Sequence, residues 1–232
     1  MPTNTLPQRV VVIVCAHDEQ DTLPATLGAL ADAFPGSRVV VADDHSTDAT
    51  PAIARAAGVE LIRAPRNLGK GGAATLAARH VEREAHAPEP AVFVLCDADL
   101  GDTARHLPRL AQEIREGRAD LAVAAFERRV GGGFGVALSF AGWAIRRRSG
   151  LVLRAPISGQ RALSGDALRA ALPFASRFGM EIGMTIDVAR AGLRVVEVEL
   201  PLTHRATGRT WHGFLHRGRQ LADFLAVYLS RR

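Results

Sequence analysis

The segment FVLCDADLGD, residues 93 to 102, opens as an apolar run and ends in two carboxylates two positions apart, Asp97 and Asp99. A short, continuous apolar run is the mark of a fully buried strand, and its polar end is then an edge of the sheet. Two carboxylates delivered to one edge disfavour each other's ionisation unless they share a cation. Hard divalent cations such as Mg²⁺ and Mn²⁺ take oxygen ligands and bridge carboxylates to phosphates. Ending the strand and capping a helix near Thr103 would account for one Asp; two of them point to a metal.

Outward from this segment, β-branched runs recur at Val10 to Val14, Val39 to Val41, Val59 to Ile62, Ala91 to Leu95 and Leu121 to Ala125. Between them, residues 20–33, 48–57, 70–84 and 103–116 carry Ala and Leu at helical spacing. The alternation reads as an α/β fold, an open and mostly parallel sheet with helices on both faces. Past residue 126 the pattern loosens through RRVGGGFG. A helix through Trp143 to Arg148 follows, then a helix near 179–191, a strand Arg194 to Leu200 and an amphipathic helix over 212–230. One domain over residues 1–232 is expected, with a ligand-binding half at 1–125 and a second half at 126–232.

Ligands of open α/β sheets sit at the carboxyl ends of the strands. Polar residues cluster at four such ends here: Ala16-His17-Asp18-Glu19, Asp43-Asp44-His45-Ser46, Arg66 to Gly72, and Asp97-Ala98-Asp99. In VADDHSTDAT, residues 41–50, carboxylates can accept from a ribose hydroxyl or a base N–H, and Ser46 to Asp48 offer a helix N-cap. NLGKGG, residues 67–72, holds the only lysine among 29 basic residues. Its glycines let backbone N–H groups approach an anion, and Lys70 suits a nucleotide phosphate or base. The spacing is not that of a P-loop. CAHDEQD, residues 15–21, stands where a dinucleotide fold would carry GxGxxG, which argues against a nicotinamide enzyme.

The formal charge of +5 and pI near 10.4 fit nucleic acid, anionic membranes or phosphorylated small molecules. Aromatic residues make up only 5% of the chain and no nucleic-acid-reading motif is present, so nucleic acid is set aside. No apolar run approaches the roughly 20 residues of a membrane span, and MPTNTLPQRV lacks a leader pattern, so a cytoplasmic protein is expected. Cys15 and Cys96 each end an apolar run and read as reduced core thiols.

Four motifs in order resemble a known family: VVIVCAHDEQDTL its "PAYNEE" opening, VADDHSTDAT its "VDDGSTD", NLGKGGA its "N.GKGGA", and FVLCDADL its "DAD" metal motif. ISGQRAL and FGMEIGMTIDVARAGLRVVEVELPLTHR continue the likeness. The chain is thus similar to the GT-A glycosyltransferases of family 2, inverting nucleotide-sugar enzymes with a Rossmann-like sheet. The resemblance implies that Ala16, Glu19 and Asp44 line the nucleoside pocket, with Asp43 the next candidate, and that Lys70 and Ala98 lie beside the nucleotide. It implies Mg²⁺ or Mn²⁺ held by Asp97 and Asp99 and completed by His204. His17 and His45 depart from the family pattern, the latter standing where glycine is customary. The "QXXRW" signature of processive synthases is absent, which implies a single transfer.

In an inverting transfer the leaving nucleoside diphosphate must have its charge neutralised, by Asp99 and Asp97 with their metal and by Lys70 or Arg161. A hydroxyl acceptor would need a general base, for which Glu181 and Asp187 are the candidates. A phosphate acceptor needs none. Arg128, Arg129, Arg146, Arg147, Arg148, Arg154, Arg161, Arg205 and Arg209 concentrate charge in the second half, which favours a phosphorylated acceptor. The expected partners are a UDP- or GDP-sugar and a phosphorylated acceptor, either polyprenyl phosphate or a soluble one such as a phosphoglycerate. A non-catalytic nucleotide-sugar-binding protein is the alternative. In VALSFAGWAI, helical spacing sets Leu138, Ala141 and Ile145 on one face, which suits peripheral membrane contact and equally a packing or homodimer surface.

Overall fold

The computed structural model describes residues 9–84, 91–126, 136–176, 179–202, 225 and 227–230. The described strands are β1 (Val10–Ala16), β2 (Arg38–Asp43), β3 (Glu60–Arg63), β4 (Val92–Asp97), β5 (Leu121–Phe126), β6 (Arg161–Leu163) and β7 (Val195–Leu200). They form one seven-stranded sheet in the order β3-β2-β1-β4-β6-β5-β7. All neighbours run parallel except β6, which is antiparallel to both β4 and β5.

The run VVIV of β1 is continuous because both faces of this central strand are covered. Val10, Val12 and Val14 face a core with Leu23 and Leu30 of α1 (Leu23–Ala33) and Leu110 of α4 (Pro108–Arg115). Val11 and Ile13 face the opposite core, with Ala73, Ala74, Ala77 and Ala78 of α3 (Lys70–Glu84) and Met184 of α7 (Met180–Arg190). The alanine row lets α3 lie close on the sheet. A third cluster joins Ala141, Ala144 and Ile145 of α5 (Val136–Ser149) to Ile182 and Ile186 of α7.

Several boundaries differ from the sequence expectation. The helix expected over 103–116 is a 3-10 helix, Gly101–His106, followed by α4, whose Pro108 lies in its first turn where a missing N–H costs nothing. α1 begins at Leu23 rather than near 20, because residues 18–20 are bonded to the segment between β2 and α2. The helix expected over 48–57 is α2, Thr50–Ala56. β6 was not expected: at three residues it is too short to show a period. Neither was α6, Gly165–Ala171, which Ser164 caps by accepting from the Ala167 amide. Of the face expected to carry Leu138, Ala141 and Ile145, Ala141 and Ile145 are fully buried in the cluster shared with α7, while Leu138 is half-buried and outside it. Of the amphipathic helix expected over 212–230, only residues 225 and 227–230 are described, and they are helical.

Candidate active site

At the carboxyl ends of β1 and β2 two loops brace each other. The amides of Asp18, Glu19 and Gln20 donate to Ser46 Oγ (3.0 Å), Thr50 Oγ1 (2.8 Å) and Asp48 Oδ2 (3.0 Å). In return Asp18 Oδ1 accepts from the Thr47 amide at 2.7 Å and Gln20 Oε1 from Ala49 at 3.1 Å. The expected N-cap falls elsewhere: Ala49 occupies that position of α2 with no side-chain bond, and Asp48 Oδ1 instead accepts from the Thr50 amide at 2.9 Å in an Asx turn just before the helix. Asp18 and His45 adopt positive φ, 55° and 64°. The second value gives a backbone reason for the glycine that the family pattern carries at position 45.

Asp43 and Asp44 have separate tasks. Asp43 was expected near the nucleoside, but it is fully buried, accepting from the Ser46 amide at 3.1 Å and facing Arg63 Nε at 3.1 Å. It holds the turn. Asp44 lines the cleft, and its Oδ1 accepts from the Leu68 amide at 2.6 Å. Burial lifts the Asp44 carboxyl above its usual range, against the Leu68 and Gly69 amides, which pull the other way.

The NLGKGG turn meets an anion within the protein itself. The anion met by the amides of Leu68 and Gly69 is the protein's own Asp44, near the positive end of the α3 dipole. Gly69 has φ 76°, and a Cβ at Gly71 would come within 1.8 Å of the Ala175 carbonyl oxygen. These glycines serve a tight turn and a close backbone crossing.

Lys70, the first residue of α3, extends its ammonium to 2.6 Å from Asp97 Oδ1 and 2.8 Å from Glu181 Oε1. Burial alone would lower its pKa, but these two carboxylates outweigh it and hold the group protonated well above the ordinary lysine range. The other oxygen of Asp97 accepts from Gln160 Nε2 at 2.8 Å, while Gln160 Oε1 accepts from the Asp97 amide at 3.0 Å. Thr26, fully buried in α1, donates to the Ala98 carbonyl at 2.7 Å and accepts from the Gly101 amide at 2.8 Å. The DAD turn is therefore fixed from three sides, by Lys70, Gln160 and Thr26.

Arg161 was expected to assist the leaving group, and the structure gives it a different place. It is fully buried and donates to the carbonyls of Ser158 (2.7 Å), Glu181 (2.9 Å) and Pro156 (3.1 Å), and to Thr185 Oγ1 (2.9 Å). Burial lowers its pKa to about 10, so it remains cationic at neutral pH. Its position ties the 156–158 loop to the start of α7 and so presents Glu181. Asp187 lies six residues further along α7, about 9 Å of rise from Glu181.

Together Ala16, Glu19, Asp44, Lys70, Asp97, Ala98, Asp99 and Glu181 line one cleft of about 460 Å³, with Cys15, His17, Ala42, Ala73 and Ile157. Asp43, Arg161 and Asp187 are not in that lining. His204, Arg128, Arg129, Arg205 and Arg209 lie outside the described residues. Among the described residues no group of three His, Cys, Asp or Glu forms a ready-made metal site. Thr26, Gly159 and Gln160 were missed by sequence reasoning, since their roles are contacts with residues 62 to 89 positions away along the chain.

A cleft of this kind, acidic at the ends of two strands with a bridging lysine, can hold a nucleotide whose diphosphate meets the DAD turn. The family model for glycosyl transferase family 2 matches residues 11–156. The chain belongs to glycosyl transferase family 2. This family 2 chain is 35% identical to the undecaprenyl-phosphate mannosyltransferase of Micrococcus luteus, over 87% of its own length and 86% of the relative's. It is 28% identical to the glucosyl-3-phosphoglycerate synthase of Mycolicibacterium paratuberculosis, over 94% of the chain and 68% of the relative. The synthase from Mycobacterium tuberculosis, solved with Mn²⁺, uridine diphosphate and phosphoglyceric acid, superposes with a TM-score of 0.77 at 26% identity, covering 97% of this chain and 78% of that one. The family 2 chain is a nucleotide-sugar glycosyltransferase, and its seven-stranded mixed sheet is the GT-A fold. Among its described residues no helix is long and apolar enough to cross a membrane.

Proposed function

We propose that this enzyme transfers one hexose, with inversion, from a UDP- or GDP-sugar to a phosphate oxygen of a phosphorylated acceptor, with polyprenyl phosphate the first choice. The observation that carries this reading is the commitment of Glu181. Of the two candidate bases only Glu181 lines the cleft, and its carboxylate faces the Lys70 ammonium at 2.8 Å, a poor arrangement for taking a proton. A phosphate acceptor is already anionic and needs none taken. Its oxygen attacks the anomeric carbon as the bond to the donor's β-phosphate oxygen breaks, and the electron pair leaves with the nucleoside diphosphate.

The donor set at the DAD turn fits Mg²⁺ or Mn²⁺. Asp99 is half-buried on the cleft, and Asp97 beside it holds Lys70 and Gln160. Asp99 and Asp97 are the candidate protein ligands, with His204 a further one. A sparse protein set suits cations that keep waters and bind through substrate phosphates. The metal, when bound, supplies neutralisation of the leaving diphosphate. Lys70 adds a fixed positive charge beside it, and Ala16, Glu19 and Asp44 form the nucleoside end.

The Micrococcus luteus relative, named for undecaprenyl phosphate, supports the lipid acceptor. The likeness to a synthase solved with phosphoglyceric acid supports a second reading, a soluble phosphorylated acceptor. The test incubates the purified enzyme and Mn²⁺ with UDP-glucose, UDP-galactose or GDP-mannose and either a polyprenyl phosphate or 3-phosphoglycerate, with products read by mass spectrometry. A glycosylated polyprenyl phosphate is the expected product. Transfer only to phosphoglycerate would establish the second reading, and donor binding with no transfer to any phosphorylated acceptor would overturn both.

A further inference from the structure

Helix α5 turns two different sides outward and inward. Ala141, Ala144 and Ile145 pack on Ile182 and Ile186 of α7, whose first turn supplies Glu181 to the cleft. Trp143 is 49% exposed on the other side, and the exposed Arg146 and Arg147, three and four positions on, share that side. The Trp143 ring lies 4.8 Å from that of Tyr228 in the C-terminal helical turn, whose Leu225 and Leu229 are 47% and 45% exposed. Arg148 fixes the two helices together, its guanidinium 4.0 Å over the Tyr228 ring and donating to the Tyr228 carbonyl at 2.9 Å. An indole, two leucines and two arginines therefore form one outward patch on a rigid support.

We propose that this patch docks the enzyme on an anionic lipid surface. An indole beside exposed leucines is the composition of side chains that sit at the acyl–headgroup boundary, and neighbouring arginines meet lipid phosphates. A second copy of the chain fits less well. In a two-fold contact the same patch meets itself, and neither α5 nor residues 225–230 contains an Asp or Glu to pair with Arg146 and Arg147. The inference deepens the lipid-phosphate reading above: α5 is one helix layer from Glu181, so docking through it places the cleft near the source of such an acceptor.

Vesicle co-sedimentation without donor or acceptor tests it, so docking and lipid-phosphate transfer can fail separately. Wild type should sediment with phosphatidylglycerol vesicles, not with phosphatidylcholine vesicles, and be released by high salt. Arg146→Gln/Arg147→Gln should weaken binding about 30-fold, and Trp143→Ser/Leu229→Ser should also weaken it, with UDP-induced thermal stabilisation unchanged in both to show an intact fold. Absence of vesicle binding, equal binding to neutral vesicles, or binding that these substitutions leave unmoved would overturn the proposal. A concentration-dependent dimer dissolved by Trp143→Ser would overturn it in favour of a second copy.

Discussion

The ammonium of Lys70 stands 2.6 Å from Oδ1 of Asp97, so the chain's one lysine is spent on the first carboxylate of its DAD turn. Glycine leaves this pair its room: a Cβ at Gly159 would lie 2.4 Å from both Lys70 Nζ and Asp97 Oδ2, so the pair would have to shift. A planar guanidinium is wider than an ammonium and cannot occupy the same point between Asp97 and Glu181. Lys70→Arg, though it conserves charge, is therefore expected to weaken donor affinity about tenfold, on the order of 1.4 kcal/mol. Lys70→Met should lose more, because it leaves the buried Glu181 carboxylate unpaired. Calorimetric titration of UDP with Mn²⁺ measures both, and wild-type affinity in Lys70→Arg would show that the lysine is not required.

Gly159→Ala approaches the same pair from the other side. The atoms it meets are the ends of two side chains, which can swing away, so the fold should persist while the ion pair is displaced. Donor affinity is expected to fall at least about tenfold with little change in thermal midpoint. A loss of folded protein, or undisturbed binding, would each contradict this account of the turn.

Much of this site was legible because its chemistry is local. β4 announces itself by a run of buried apolar residues, and Asp97 and Asp99 follow on the next positions. Motif order then brings Ala16, Asp44 and Lys70 to the same edge, since parallel strands all end there. What stayed hidden depends on partners far along the chain. Nothing near Arg161 says that its donors turn inward to Pro156, Ser158 and Glu181, and nothing in VADD separates the buried Asp43 from the cleft-lining Asp44. β6 escaped notice because a three-residue strand has no period to read.

Thr26 offers a test of long-range support. Its hydroxyl joins α1 to the Ala98 carbonyl and the Gly101 amide, and Thr26→Val keeps the shape while removing both bonds. Leaving those buried groups unpaired should cost about 1–3 kcal/mol in urea unfolding. The same variant should raise the metal concentration needed for donor binding, since Asp99 sits inside the loosened turn. Thr26→Ser should restore most of both, and a Thr26→Ser variant as impaired as Thr26→Val would show that the methyl group, not the hydroxyl, matters.

Cys15 lines the cleft, yet burial pushes its thiol up to about 12, with Lys70 opposing and Asp97 and Glu181 adding to the rise. Alkylation needs the thiolate, and about one thiol in 10,000 is ionised at pH 8 with such a pKa. Iodoacetamide should leave Cys15 unmodified in the native enzyme at pH 8 and label it on unfolding, as peptide mass spectrometry would read. The sign for stability follows from a folded value above the unfolded one: this thiol favours folding at neutral pH. That contribution is lost as pH rises from the ordinary value of 9.0 towards 12. Rapid native labelling at pH 8 would contradict the burial argument.

The two carboxylates of the DAD turn should fail in different ways. Asp97 holds Lys70 and Gln160, so Asp97→Asn removes the charge that fixes Lys70 and should weaken donor binding even with saturating Mn²⁺. Asp99, which lines the cleft, should show its loss in the metal dependence itself. Asp99→Asn is expected to raise the Mn²⁺ concentration giving half-maximal UDP binding by about 100-fold or more, and EDTA should abolish wild-type donor binding. The measurement is UDP titration across a Mn²⁺ series for wild type and both variants. A larger shift in the metal requirement for Asp97→Asn than for Asp99→Asn would reverse the assignment. The Lys70 ammonium would then be a placeholder that the cation displaces from Asp97.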